Sequence, residues 1–174
     1  MPETEKPLIT RLNHIAMRTA NTTVMRNFYS KVLGLEIDRR RPAHFSGFHL
    51  RSMVPSGEPI VHVMTGEDAK INDGSVPIES GAIHHLAFYC QGFEETRAAL
   101  VRYGIPWREY RIPEACLWQI FVFDPHGVLI ELSFESAVEG IAEPAIPPGM
   151  GLDPGDRSWF EASRYKVFEE AAMA

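Results

Sequence analysis

Two short runs of the sequence, Asn13-His14-Ile15-Ala16-Met17 and His84-His85-Leu86-Ala87-Phe88, share one order: an imidazole, an aliphatic residue, Ala and a large apolar residue. At nearly equal distances downstream of the two runs stand His62, inside Ile60-Val61-His62-Val63-Met64, and Glu131, inside Leu129-Ile130-Glu131-Leu132-Ser133. A carboxylate buried in an apolar strand is costly unless it is paired or coordinates a cation. Neutral imidazole and carboxylate together suit divalent ions, with Fe(II) the first choice and Mn(II), Ni(II), Co(II) and Zn(II) as alternatives. The candidate metal ligands are therefore His14, His62, His85 and Glu131, with His62 either the fourth ligand or a hydrogen-bonding residue within the cleft.

Two imidazoles and one carboxylate on one face of an ion leave adjacent positions open to a small oxygen-bearing substrate. An ion so placed acts as a Lewis acid on a substrate bound through two neighbouring oxygens. With one Glu the centre stays net positive, which favours an anionic chelating substrate. Glu131, His49 and Tyr110 are the candidate catalytic residues. His44 and His49 flank a strand near Arg51, and either is a second-sphere base or a structural residue. His84 alternates to the face opposite His85 and reads as structural, while His126, in Asp124-Pro125-His126-Gly127, reads as a solvated turn residue. Arg39-Arg40-Arg41 reads as a solvated edge or a contact for an anion. Cys90 closes an apolar run and reads as a small buried hydrophobe; neither it nor Cys116 has a catalytic or metal-binding spacing.

Each His-bearing run has strand character and precedes a helical pattern. In the first half Asn21 or Thr22 can cap a helix whose stripe is Met25, Phe28, Tyr29 and Val32, stopped by Gly34. In the second the stripe is Phe93, Arg97, Leu100 and Val101, with Gly104 as the stop and Pro106 beyond it. Strand-like runs follow at 35–39, 45–52 and 59–64, and again at 106–110, 118–123 and 128–134, the last two joined by the turn chemistry of Asp124 to Gly127. Each half thus reads as strand, helix and three strands, giving an α+β domain of paired modules joined by a polar, Gly-rich connector around 66–81.

These segments resemble the vicinal oxygen chelate superfamily (glyoxalase, bleomycin resistance protein, extradiol dioxygenase). The match lies in Asn13 to Ala16, Phe28-Tyr29 through Leu33-Gly34-Leu35, His85 to Phe88, and Gln119 to Leu132. The resemblance implies two βαβββ modules whose curled mixed sheets enclose a metal-lined cleft, with ligands carried by the first and last strands, and a homodimer. It implies a divalent-metal-dependent enzyme acting on a small molecule with neighbouring oxygens, most like the dioxygenase-related members. A metal-dependent isomerase, epimerase or lyase of the glyoxalase type is the alternative, and a non-catalytic small-molecule binding (resistance) protein a third.

With 17 Lys and Arg against 23 Asp and Glu, the formal charge of -6 argues against nucleic acid or an anionic membrane as a partner. Reduced thiols and the lack of a long apolar span suggest a cytoplasmic protein. The chelate domain is expected over residues 1–137, with module one at about 10–65 and module two at about 82–135. Residues 138–174 read as a Pro/Gly-rich linker and a short amphipathic segment anchored by Trp159, Phe160, Tyr165 and Phe168, docking on the domain or on a second subunit.

Overall fold

The computed structural model describes residues 11–40, 46–54 and 57–169. The first half runs β1 (Ile15–Arg18), α1 (Thr22–Lys31), β2 (Glu36–Asp38), β3 (Gly47–Arg51) and β4 (Pro59–Met64). The second half repeats it as β5 (Leu86–Cys90), α2 (Phe93–Tyr103), β6 (Trp107–Ile112), β7 (Leu117–Phe123) and β8 (Leu129–Glu135), followed by a one-turn helix α3 (Ser136–Glu139). Asn21 caps α1, its side chain accepting from the Val24 N–H at 3.1 Å, which satisfies one of the donors a helix start leaves open. Gly104 ends α2 in the left-handed region (φ 65°), where its N–H reaches the carbonyls of Leu100 and Val101.

The two four-stranded sheets have the same plan, β1-β4-β3-β2 and β5-β8-β7-β6. In each, the first and last strands of the module run parallel and the others antiparallel. Alternation then sorts every strand into two faces. Met17, Phe48, Leu50, Val61 and Val63 face the core in the first sheet, and Trp118, Ile120, Val122, Ile130, Leu132 and Phe134 in the second. The opposite faces carry the polar candidates, His49 and His62 in one sheet and Gln119, Glu131 and Ser133 in the other.

The modules are joined through the turn between β7 and β8. Asp124 Oδ1 accepts from the N–H groups of His126 and Val128, both at 2.9 Å, while Oδ2 accepts from the Tyr29 hydroxyl of α1 at 3.2 Å. His126 Nε2 lies 2.8 Å from Thr19 Oγ1, and burial lowers its pKa; this histidine is therefore a bridge between the modules, not a solvated turn residue.

The C-terminal segment docks on the domain. Phe168 is fully buried against Phe28 and Tyr103, and Asn27 Nδ2 donates to its carbonyl at 2.8 Å. Burying one such aromatic is worth about 1.5–3 kcal/mol. A second cluster gathers Phe121, Phe123, Leu129 and Trp159 on the polar-candidate face of the second sheet, so the tail covers part of that face. Its path is fixed beside β6, where Glu109 N–H donates to Met150 O and Leu152 N–H to Glu109 O.

Other expectations shift at their edges. Val101 is exposed and leaves the α2 stripe, while Arg97 turns to the fully buried Glu109, which also accepts from Trp107 and Arg111. Arg40 pairs with Asp38 at 2.6 Å, holding that carboxyl down at about 2. Arg41 and His44 lie outside the described residues.

Candidate metal centre

His85 stands just before β5 and directs Nε2 to within 3.1 Å of Glu131 Oε2. Register explains the meeting: β5 runs parallel to β8 with Ala87 opposite Glu131, which leaves His85 two residues back on the same face. The other carboxylate oxygen is occupied. Glu131 Oε1 accepts from Ser133 Oγ at 2.7 Å and from Gln119 Nε2, side chains placed beside it by alternation on β8 and by pairing with β7. One carboxylate oxygen is thus fixed by the protein and the other is presented toward the imidazole. Such supporting bonds orient metal-ligating carboxylates.

The first sheet holds a second group. His14, just before β1, stacks on His62 of β4 with ring centroids 3.8 Å apart, and His49 of β3 stacks on the other side of His62 at 3.7 Å. His49 is opposite His62 in the ladder, which accounts for that contact. His14 Nδ1–H donates to Asn13 Oδ1 at 2.8 Å, leaving Nε2 as the candidate ligating atom. Burial first, and the neighbouring His49 and His14 imidazoles next, push His62 down to about 4, so it is neutral at physiological pH and carries a lone pair.

The four expected ligands are therefore brought together two by two: His14 with His62 and His85 with Glu131. Among the described residues no group of three His, Cys, Asp or Glu side chains stands in a metal-holding arrangement. The His85–Glu131 pair nevertheless fits a divalent ion in its donor chemistry, one carboxylate oxygen tied back by Ser133 and Gln119 and the other turned to the imidazole, and His14 with His62 adds two imidazoles of a kind that suits the same ions.

The remaining candidates take different places. Tyr110 lies on the same sheet face as Glu131, two strands away in register with Gln119, and is half exposed. His84, expected to be structural, places Nδ1 2.8 Å from His85 Nδ1. Gln119 and Ser133 were missed as site residues; their alternation with Phe121 and Glu131 was the available signal. Cys90 is half-buried, its thiol pushed up to about 12 by burial and then by Glu139, which makes it a poor nucleophile. Two grooves of about 830 and 510 Å³ lie at the junction of the modules, the first beside Leu35, Ile60, Phe88 and Tyr89, the second beside Met17, Ile78 and Leu86. Neither is lined by the four expected ligands. No helix among the described residues is long and apolar enough to cross a membrane.

The same plan recurs in solved structures. A glyoxalase/dioxygenase from Nostoc punctiforme superposes with a TM-score of 0.55 at 18% identity, covering 76% of this chain and 99% of that one. A lactoylglutathione lyase from Agrobacterium tumefaciens gives 0.50 at 19% identity, covering 76% and 98%. A genomically encoded fosfomycin resistance protein from Listeria monocytogenes gives 0.51 at 17% identity, covering 77% and 100%. At these identities the likeness is one of fold. No curated protein matches the chain by sequence. The family model for the Glyoxalase/Bleomycin resistance protein/Dioxygenase superfamily matches residues 11–132, from the residue three before His14 to the one after Glu131, which takes in the first module and the second as far as Leu132 in β8, and the chain belongs to this superfamily.

Proposed function

We propose that the chain is a divalent-metal-dependent enzyme that binds a small substrate through neighbouring oxygens, most like the dioxygenase-related members, with Fe(II) the first choice and Mn(II) next. The observation that carries this reading is the His85–Glu131 pair, 3.1 Å apart, with the second carboxylate oxygen secured by Ser133 and Gln119. A carboxylate so braced presents a fixed charge, which a cation rewards more than an apolar core does. The bound ion would supply Lewis-acid activation of the substrate oxygens. The chain's own residues would orient the substrate: Tyr110 from β6, and His49 as a proton-transfer group beside His62.

The two ligand pairs are completed in a homodimer, His14 and His62 of one chain meeting His85 and Glu131 of a second copy. Edge strands support this reading. Among the described residues β1 and β5 end their sheets, each with a strand on one side only, and β5 exposes Ala87 and Tyr89 next to His85. Open edges of this kind are sites for pairing with another chain.

A second reading, an isomerase, epimerase or lyase, is favoured by the stacking of His49 on His62, which puts an imidazole base next to a candidate ligand. One experiment separates the two. Metal-free protein is loaded anaerobically with Fe(II), then given oxygen and a panel of catechols while oxygen uptake is followed. Oxygen consumption with ring cleavage is the expected result. Turnover with Ni(II), Co(II) or Zn(II) and no oxygen uptake transfers the assignment to the second reading. Sedimentation should give a dimer; a monomer that binds metal with full affinity would sink the two-chain site.

A further inference from the structure

The smaller groove, of about 510 Å³, runs between β1 and the chain that leads into β5, and none of the four expected ligands lines it. Its apolar wall is made by Ile15, Ile83, Leu86 and Val128. Ile83 is 58% exposed, a large aliphatic side chain left facing water. Two opposite charges line the same groove, Arg18 at the end of β1 and Glu79 in the connector. Among the described residues neither side chain is in an ion pair or a hydrogen bond, with the other or with a third group.

The backbone fixes where these charges stand. His126 Nε2 meets Thr19 Oγ1, next to Arg18, and the His126 carbonyl accepts from Glu79 N–H, both at 2.8 Å. Glu79 takes a left-handed conformation (φ 65°), which a residue with a side chain keeps only where its surroundings over-determine it. Its Cγ lies 3.4 Å from the point where a Cβ on Gly127 would stand, so the glycine leaves it room. The wall also offers backbone. Thr19 N–H donates to Met64 O of β4, and alternate residues of a strand turn the same way. Ile15 and Met17 therefore bond to β4, while Ala16 and Arg18 turn their N–H and C=O groups to the free edge along the groove.

Each feature suits one part of a single ligand. A guanidinium fork takes a carboxylate. The Glu79 carboxylate takes an ammonium, and strand-edge carbonyls accept from the same group. The aliphatic wall takes one apolar chain. A ligand with one charge would leave Arg18 or Glu79 without a partner, and a ligand with both charges but no apolar chain would leave Ile83 wet. We propose that this groove is a second small-molecule site of the chain and takes an α-amino acid with a large apolar side chain. Its carboxylate would lie on Arg18, its ammonium on Glu79 and its side chain against Ile15, Ile83 and Leu86. The inference does not rest on the metal reading. A second copy pairing with β1 would have to enter the same groove, so occupant and partner strand exclude each other.

The test titrates the full, ¹⁵N-labelled chain with L-phenylalanine while backbone ¹H–¹⁵N correlations are recorded. The signals of Ala16, Arg18, Glu79 and Ile83 should shift together along one saturation curve. Glycine, with both charges and no side chain, should bind more weakly. Arg18→Gln should weaken L-phenylalanine and 3-phenylpropionate by about two- to fivefold and leave phenethylamine unchanged. Glu79→Gln should weaken L-phenylalanine and phenethylamine to the same degree and leave 3-phenylpropionate unchanged. Both residues are exposed, so the variants keep the fold. No saturating shift with L-phenylalanine, or an affinity that neither variant alters, overturns the proposal. Equal binding of glycine and L-phenylalanine removes the apolar wall from it. In sedimentation any dimer should give way to monomer as the amino acid saturates, and a dimer that persists removes the edge of β1.

Discussion

The Tyr29 hydroxyl donates to Asp124 Oδ2 across 3.2 Å, tying the first helix of one module to the last turn of the other. Both groups are fully buried. Burial drives the Tyr29 pKa up and raises Asp124 from 3.8 to about 6, against the opposing pull of the N–H groups of Val128 and His126.

This linkage has a defined sign. A folded-state pKa above the unfolded value means that Asp124 stabilises the fold fully below about pH 4, and that the contribution is lost as pH rises through about 6. The loss is on the order of 2–3 kcal/mol. His62 works the other way: its pKa is lowered to about 4, so its contribution is present above pH 6.5 and lost as pH falls toward 4. Urea unfolding of wild type and Asp124→Asn between pH 4 and 7 should show the variant gaining on the wild type as pH rises. A constant difference across that range would contradict the assignment.

Metal content is the direct check on the candidate centre. Protein purified without added ions should carry metal in the wild type, and Glu131→Gln should lose most of it. Ser133→Ala and Gln119→Leu, which release the bound carboxylate oxygen, should weaken affinity by about 10–100-fold without changing the fold. His126→Ala should match the wild type in metal content, since its partner is Thr19. Equal metal in Glu131→Gln and His126→Ala would remove Glu131 from the site.

The buried carboxylate of Glu109 offers a stability test away from the centre. Arg97 and Arg111 each approach Oε2, at 2.7 and 2.8 Å, and Trp107 donates to Oε1 at 3.0 Å. Glu109→Leu would leave two little-exposed guanidinium groups without their counter-ion, at a cost of about 3–5 kcal/mol. Chemical denaturation measures it, and a loss below 1 kcal/mol would show that water compensates the arginines.

Phe168→Ala should cost about 3–5 kcal/mol, because a large ring leaves a cavity among Phe28, Tyr103 and Tyr165. The same substitution at exposed Val167 should change stability by about 0.5 kcal/mol or less. Unfolding midpoints of the two variants, compared at one pH, make the check.

The repeated module was legible because hydrophobic period and turn chemistry agree along most of it: Met25, Phe28, Tyr29 and Val32 are all buried, and the predicted run at 59–64 coincides with β4. Local pattern cannot see partners distant in sequence. His126 sits in turn chemistry that reads as solvated, and contacts with Thr19 and the Pro77 backbone, both distant in sequence, cover it. Val101 matches a helical stripe, yet its side chain stays exposed. The pairing of His85 with Glu131 follows from parallel register between β5 and β8, which matching positions in the two halves anticipated. That His84 joins them could not be read, since its partner at Pro154 lies seventy positions away.

Asn27 holds the carbonyl of Phe168 from the first helix, so the innermost packing of the first module is closed by residues translated long after its own strands. On the ribosome that module must wait, its aromatic pocket open, while the whole second module and the winding segment after it emerge. A chaperone that shields exposed rings would find its opportunity in that interval, and fusion partners placed ahead of β1 should disturb maturation less than insertions between α3 and Trp159.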